Sequence, residues 1–161
     1  MTSMVRLCSA ALVMSGILAC SDMGSEPSIE HLEVRYLGGS IVADMMPVIS
    51  PEPNDRIFCT VDLIVRNSSA QWLDVRLRIM RADLRRSGTR TRLGTLSFAT
   101  DWDGILEPFQ TDTVRLVKRA LSEDFAQPEC EASVELDCEI GESEDALIRF
   151  TAAPMIFHCV Y

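Results

Sequence analysis

The chain has 161 residues and a formal net charge of −9, with 47% hydrophobic and 6% aromatic residues. That acidity argues against a nucleic-acid binder, which needs clustered Lys and Arg to neutralise phosphates. The length suits one domain with its own core.

In chain order, Met1–Arg6 carries a single cation and precedes a mostly apolar run, Leu7–Ala19. Small residues close the run before a polar stretch, Ser21–Pro27. This is the order of a secretory leader, and the run is shorter than the roughly 20 residues that span a bilayer. Its end, Ile17-Leu18-Ala19-Cys20, resembles the lipobox of bacterial lipoproteins: an aliphatic residue, a tolerant position, a small residue, then cysteine. The resemblance implies cleavage after Ala19, lipid on the Cys20 sulfur and acylation of the new amino group. The membrane then becomes a partner, since each buried CH₂ adds about 0.8 kcal/mol and more than one acyl chain anchors stably. Ser21 in place of Asp implies, by the same resemblance, the outer membrane. The expected organisation is a leader (1–19), a lipidated tether (20–28) and one β-domain (29–161). Losing the leader removes Arg6 and no acid, which takes the net charge from −9 to −10.

Beyond the tether, alternation with a period of two predicts half-buried strands. Leu32–Leu37 opens the domain, Gly38-Gly39 reads as a turn, and Ile41–Ala43 as a short continuation. Ile57, Cys59, Val61, Leu63 and Val65 share one face. Leu73, Val75, Leu77 and Ile79 repeat that pattern, so the cluster Asn67–Ala70 predicts a hairpin between the two runs. Gly94–Ala99 and Thr113–Lys118 read as strands, with a short helix over Leu116–Phe125 as a competing reading. Cys130–Glu139 shows the cleanest alternation, Gly141–Asp145 its turn, and Ala146–Ala152 and Met155–Tyr161 the last two strands. Seven to eight short strands without a long helical pattern predict an all-β, antiparallel sandwich. The layout from Ile57 to Tyr161 resembles an immunoglobulin-like or fibronectin-III-like domain, with Cys59, Trp72 and Cys130 or Cys138 a loose form of its Cys…Trp…Cys core.

Cys8 leaves with the leader and Cys20 takes lipid, so Cys59, Cys130, Cys138 and Cys159 remain. An even set in an exported chain predicts two disulfides. Cys130 and Cys138 on one strand would lie roughly 26 Å apart at about 3.3 Å per residue, beyond the reach of a bridge. A hairpin turning at Gly141–Asp145 favours Cys130–Cys159, leaving Cys59–Cys138. Strands facing in parallel would favour Cys59–Cys130 instead.

Catalytic and cofactor chemistry finds little support, and neither a cofactor nor a catalytic residue is expected. His31 and His158 lack partners at motif spacing, and no Gly-x-Ser-x-Gly, Ser-x-x-Lys or phosphate-cradling loop occurs. The cysteines are too widely spaced for zinc. Asp101-Trp102-Asp103-Gly104 fails the EF-hand pattern, because Leu106 and Asp112 stand at its sixth and twelfth positions; a turn held by Asx hydrogen bonds is expected. Met45, Met46, Met80 and Met155 are scattered and read as packing residues.

Charge placement stands out. Arg76, Arg78, Arg81, Arg85, Arg86, Arg90 and Arg92 are half of the fourteen arginines, whereas Glu123–Asp145 holds ten acids and no base. Two solvated faces that partly neutralise each other are one reading. A docking surface for an envelope protein or anionic headgroups is the other. The expectation is a lipid-anchored, non-enzymatic interaction or structural module of the cell envelope. The alternative is a periplasmic lipoprotein that binds a metal or small ligand through Asp101 and Asp103 or the Met and His residues.

Overall fold

The computed structural model describes residues 28–46 and 56–161. The leader, Cys20 and the tether up to Pro27 lie outside the described residues. A single 3₁₀ turn, Ser28–His31, leads into ten strands: β1 (Leu32–Asp44), β2 (Ile57–Asn67), β3 (Leu73–Asp74), β4 (Ile79–Arg86) and β5 (Arg92–Ala99). They continue as β6 (Ile105–Leu106), β7 (Thr111–Leu121), β8 (Ser133–Ser143), β9 (Ala146–Thr151) and β10 (Met155–Val160). The fold is all-β.

The main sheet runs β10-β1-β2-β7-β5-β4-β8-β9, and β8 also pairs with β10. Seven strands therefore close a ring, and β9 hangs on the far half of β8 as an edge strand. The two contacts divide β8 between them. Ser133 and Val134 face Ile156 and Met155, while Asp137–Ser143 runs beside β9. Closure satisfies backbone groups that an open sheet would leave as edges. Antiparallel pairing holds except between β1 and β10, which run parallel with Ile41 opposite Phe157. The ring is thus mixed.

Alternation fills the interior. Val61, Leu63 and Val65 of β2, Val114 and Leu116 of β7, Leu84 of β4, Leu136 and Ile140 of β8 and Phe157 of β10 are all buried. Full burial of such a side chain contributes about 1.5–3 kcal/mol.

Several expected boundaries move. Gly38-Gly39 is no turn but part of a bulge between Tyr36 and Gly38, so β1 is one continuous strand. Ile57–Val65 and Leu73–Ile79 do not form a hairpin: β2 lies between β1 and β7, and Leu73-Asp74 pairs with Leu106 and Ile105. Periodicity reports which face of a strand is buried and is silent on its neighbour. The competing helix does not form either, because residues 116–121 stay in the β7 ladder against β2 and β5. Cys130 sits in the turn ahead of β8, where Glu131 has φ of 63°.

Candidate functional site

The two charge blocks meet on the outside of the ring. Ala82 and Leu84 point inward, which puts Arg81, Asp83 and Arg85 outward on β4. On β8, Leu136 and Cys138 point inward and Glu135, Asp137 and Glu139 outward. The antiparallel register sets Arg81 against Glu139, Asp83 against Asp137 and Arg85 against Glu135.

Arg81 donates from Nε to Glu139 at 2.8 Å, and Arg149 of β9 donates to the other oxygen at 2.9 Å. Arg149 and Arg81 together hold the Glu139 carboxyl below its ordinary range. Two carboxylates directly across a ladder repel, yet Asp83 and Asp137 occupy such a position. Their charge is offset locally. Thr95 and Arg92 bond Asp83 Oδ1 at 2.7 and 3.2 Å, and Thr151 bonds Asp137 at 2.8 Å. Arg85 Nε lies 2.7 Å from Asp137 but makes no hydrogen bond, so that contact is Coulombic. Arg81, Arg85, Thr95, Arg149 and Phe150 line a surface cavity of about 570 Å³ beside this cluster.

The other sequence-predicted arginines follow the same pattern. Arg76 pairs with Asp74, Arg86 with Glu129, Arg90 with Asp137 and Arg92 with Asp124. Ser122 and Arg92 hold the Asp124 carboxyl low. Only exposed Arg78, among the seven, makes no ion pair with the described residues. The expected docking arginines are brought together, and six of them meet acids of the same chain.

Cys130 and Cys159 form a disulfide with Cα atoms 5.5 Å apart. The expected Cys59–Cys138 bridge is not formed. Both are buried free thiols, on β2 and β8, which are not neighbours in the ring. Burial raises each pKa to about 12, against a small pull from Lys118 at Cys59, while Cys59 and Asp137 add to the rise at Cys138. Neutral thiols of this kind are poor nucleophiles.

The remaining sequence candidates are scattered. Asp103 accepts from the Ile105 N–H at 3.0 Å in an Asx turn, with Gly104 at φ of 82°. Among the described residues no three His, Cys, Asp or Glu side chains converge as a metal ion requires. His158 Nδ1 lies 3.4 Å from Glu131, and Met155 is buried while Met45 and Met46 are exposed.

Sequence reasoning missed Asn67, which stood only in a turn cluster. Its side chain is 0% exposed. Nδ2 donates to the carbonyls of Gln71, Glu107 and Leu106 at 2.6, 2.9 and 3.4 Å, and Oδ1 accepts from the Ser69 N–H and hydroxyl at 2.8 Å each. Asn ending an apolar run was the one available signal.

No family of known proteins matches the chain, and no curated protein does. Among solved structures it is similar to the periplasmic chaperone SfaE, at 9% identity and a TM-score of 0.32. That match covers 79% of this chain and 57% of the chaperone's chain.

Proposed function

We propose that this chain is a cell-envelope lipoprotein, cleaved after Ala19 and anchored through lipid on Cys20, whose β-domain is a non-enzymatic interaction or structural module. The observation that carries the reading is the Cys130–Cys159 disulfide. Such bonds persist in oxidising compartments such as the periplasm, where a lipobox leader would deliver the chain. We read the ring as a flattened, immunoglobulin-like sandwich, with β10, β1, β2 and β7 in one layer and β5, β4, β8 and β9 in the other. Strand number and inward alternation support that reading.

The charged face of β4 and β8 serves this module mainly as a self-neutralising surface, because a partner would have to exchange existing ion pairs for new ones. Exposed pairs of this kind contribute about 0–1 kcal/mol each, so the exchange is feasible but offers little net attraction. The test of the anchor is membrane partitioning. Cys20→Ala should leave the protein soluble where the native chain sediments with membranes; a variant that still sediments refutes lipidation at Cys20.

One observation favours the alternative of a small-ligand binder: the cavity of about 570 Å³ beside Arg81, Arg85 and Arg149, a size suited to a small molecule. A small molecule or metal retained stoichiometrically by purified protein after dialysis would put that reading first.

A further inference from the structure

We propose that the pole of the domain where the tether arrives rests on the bilayer surface, with Trp72, Ile105 and Phe109 seated among the lipid headgroups. This rests on the lipid anchor at Cys20.

The geometry starts at the tether. His31, the last residue of the 3₁₀ turn, accepts the Ser68 N–H at 2.9 Å and the Ser68 hydroxyl at 3.0 Å, which ties the domain entrance to the Asn67–Gln71 turn. The same turn receives the Phe109 N–H on the Ser69 carbonyl at 3.2 Å. Asn67 joins it to Leu106 and Glu107. Everything this network gathers lies at one end of the ring.

Three large apolar side chains project from that end. Trp72 is 63% exposed, Phe109 58% and Ile105 49%. In the β3–β6 ladder Leu73 and Leu106 turn inward, so Ile105 and its partner Asp74 turn outward, on the same side as Trp72. Phe109 is held at φ of 60°, a left-handed conformation disfavoured for a bulky side chain. The strained turn keeps an aromatic ring in water when burial would otherwise be favourable. An amphipathic Trp beside apolar neighbours is the composition that settles at a membrane–water interface.

Reach selects the occupant. Seven residues, or eight residue steps, separate Cys20 from Ser28, a span of at most about 29 Å. An eleven-residue strand such as β2 is roughly 36 Å long, so the lipid holds this pole near the bilayer and the Cys130–Cys159 pole away from it. Asp74 beside the apolar residues is already paired with Arg76, so the rim of the patch carries little net charge and suits a zwitterionic surface.

The experiment uses the lipidated full chain in phosphatidylcholine vesicles, with Trp102→Phe so that Trp72 alone emits. Trp72 emission should be blue-shifted relative to the Cys20→Ala protein, shielded from acrylamide and lost when the lipid is brominated near the headgroup end of its acyl chains. Emission that stays open to acrylamide and insensitive to bromine overturns the proposal. Shielding without bromine quenching overturns it too, and means that a second copy or a protein covers the patch. Flotation of the vesicles separates the two readings: protein that fails to float sinks the anchor and the pole together, whereas floating protein with unquenched Trp72 sinks only the pole. Trp102 bonds Asp112 through Nε1 at 3.1 Å, so Trp72→Phe in the native background is the second variant. It should abolish bromine quenching and leave the Trp102 signal intact.

Discussion

Asn67 shows how one side chain can hold two connections at once. Its amide meets three carbonyls and two donors from Ser69, in a setting from which water is excluded. Asn67→Ala would strand part of that set, and a buried group left unsatisfied costs about 1–3 kcal/mol. We expect a loss of about 3 kcal/mol, read as a lower urea midpoint with an unchanged m-value. Asn67→Asp should be worse near neutral pH, because a carboxylate cannot donate to Gln71 or Glu107. Equal stability of Asn67→Ala and the native chain would remove Asn67 from this role. The residue was hidden in the sequence because Asn-Ser-Ser reads as a solvated turn; its burial arises from where Leu106 and Glu107 return, some forty residues later. Cys130–Cys159, in contrast, was legible in part: a hairpin favoured it, while strands facing in parallel left Cys59–Cys130 as its rival, and Cys130 lies in the turn ahead of β8 and not on the strand.

At the level of strands, β2 and β8 are where periodicity was most informative and pairing least. Their inward faces follow from alternation, and Cys59 and Cys138 accordingly lie inside. That both point inward made a bridge between them plausible from sequence, and they lie close enough across the interior for Cys59 to raise the Cys138 pKa, yet both remain buried free thiols. The two thiols are therefore expected to be unreactive toward Ellman's reagent in the native protein and, in the cleaved and lipidated chain, to appear as two per chain after denaturation without reductant. A denatured count of zero would show that the bridge forms. The charged ladder of β4 and β8 was legible in part: the Arg and acidic blocks were evident, and their mutual neutralisation was one of the two readings. Antiparallel pairing of β4 with β8, across some fifty intervening residues, brings the two blocks together.

For the molecule as a whole, these groups set two limbs of a pH–stability profile. On the acid side, the folded-state pKa values of Asp62, Asp124 and Glu139 are lowered by Arg115, by Ser122 with Arg92, and by Arg149 with Arg81 respectively. A depressed carboxylate stabilises the fold above its unfolded value, near 4, and that contribution fades as pH falls through the folded value. Asp124 is exposed and Asp62 and Glu139 are partly so, so this limb is shallow and screened by salt. On the alkaline side, Cys59 and Cys138 are raised from 9.0 to about 12 by burial. The unfolded thiols ionise first, so stability is full below about pH 9 and declines toward pH 12, by up to about 1.4 kcal/mol per pH unit for each thiol. The alkaline limb therefore outweighs the acid one. Urea midpoints measured from pH 3 to pH 11 should stay level from about 5 to 8, sag gently below 4 and fall steeply above 9. Replacing both cysteines by Ala should make the alkaline fall shallower, down to the part contributed by Tyr36, whose pKa burial also raises, and leave the acid limb in place. An alkaline limb undiminished by the double replacement would assign the loss to groups other than these thiols, and the two buried sulfurs would then be packing atoms alone.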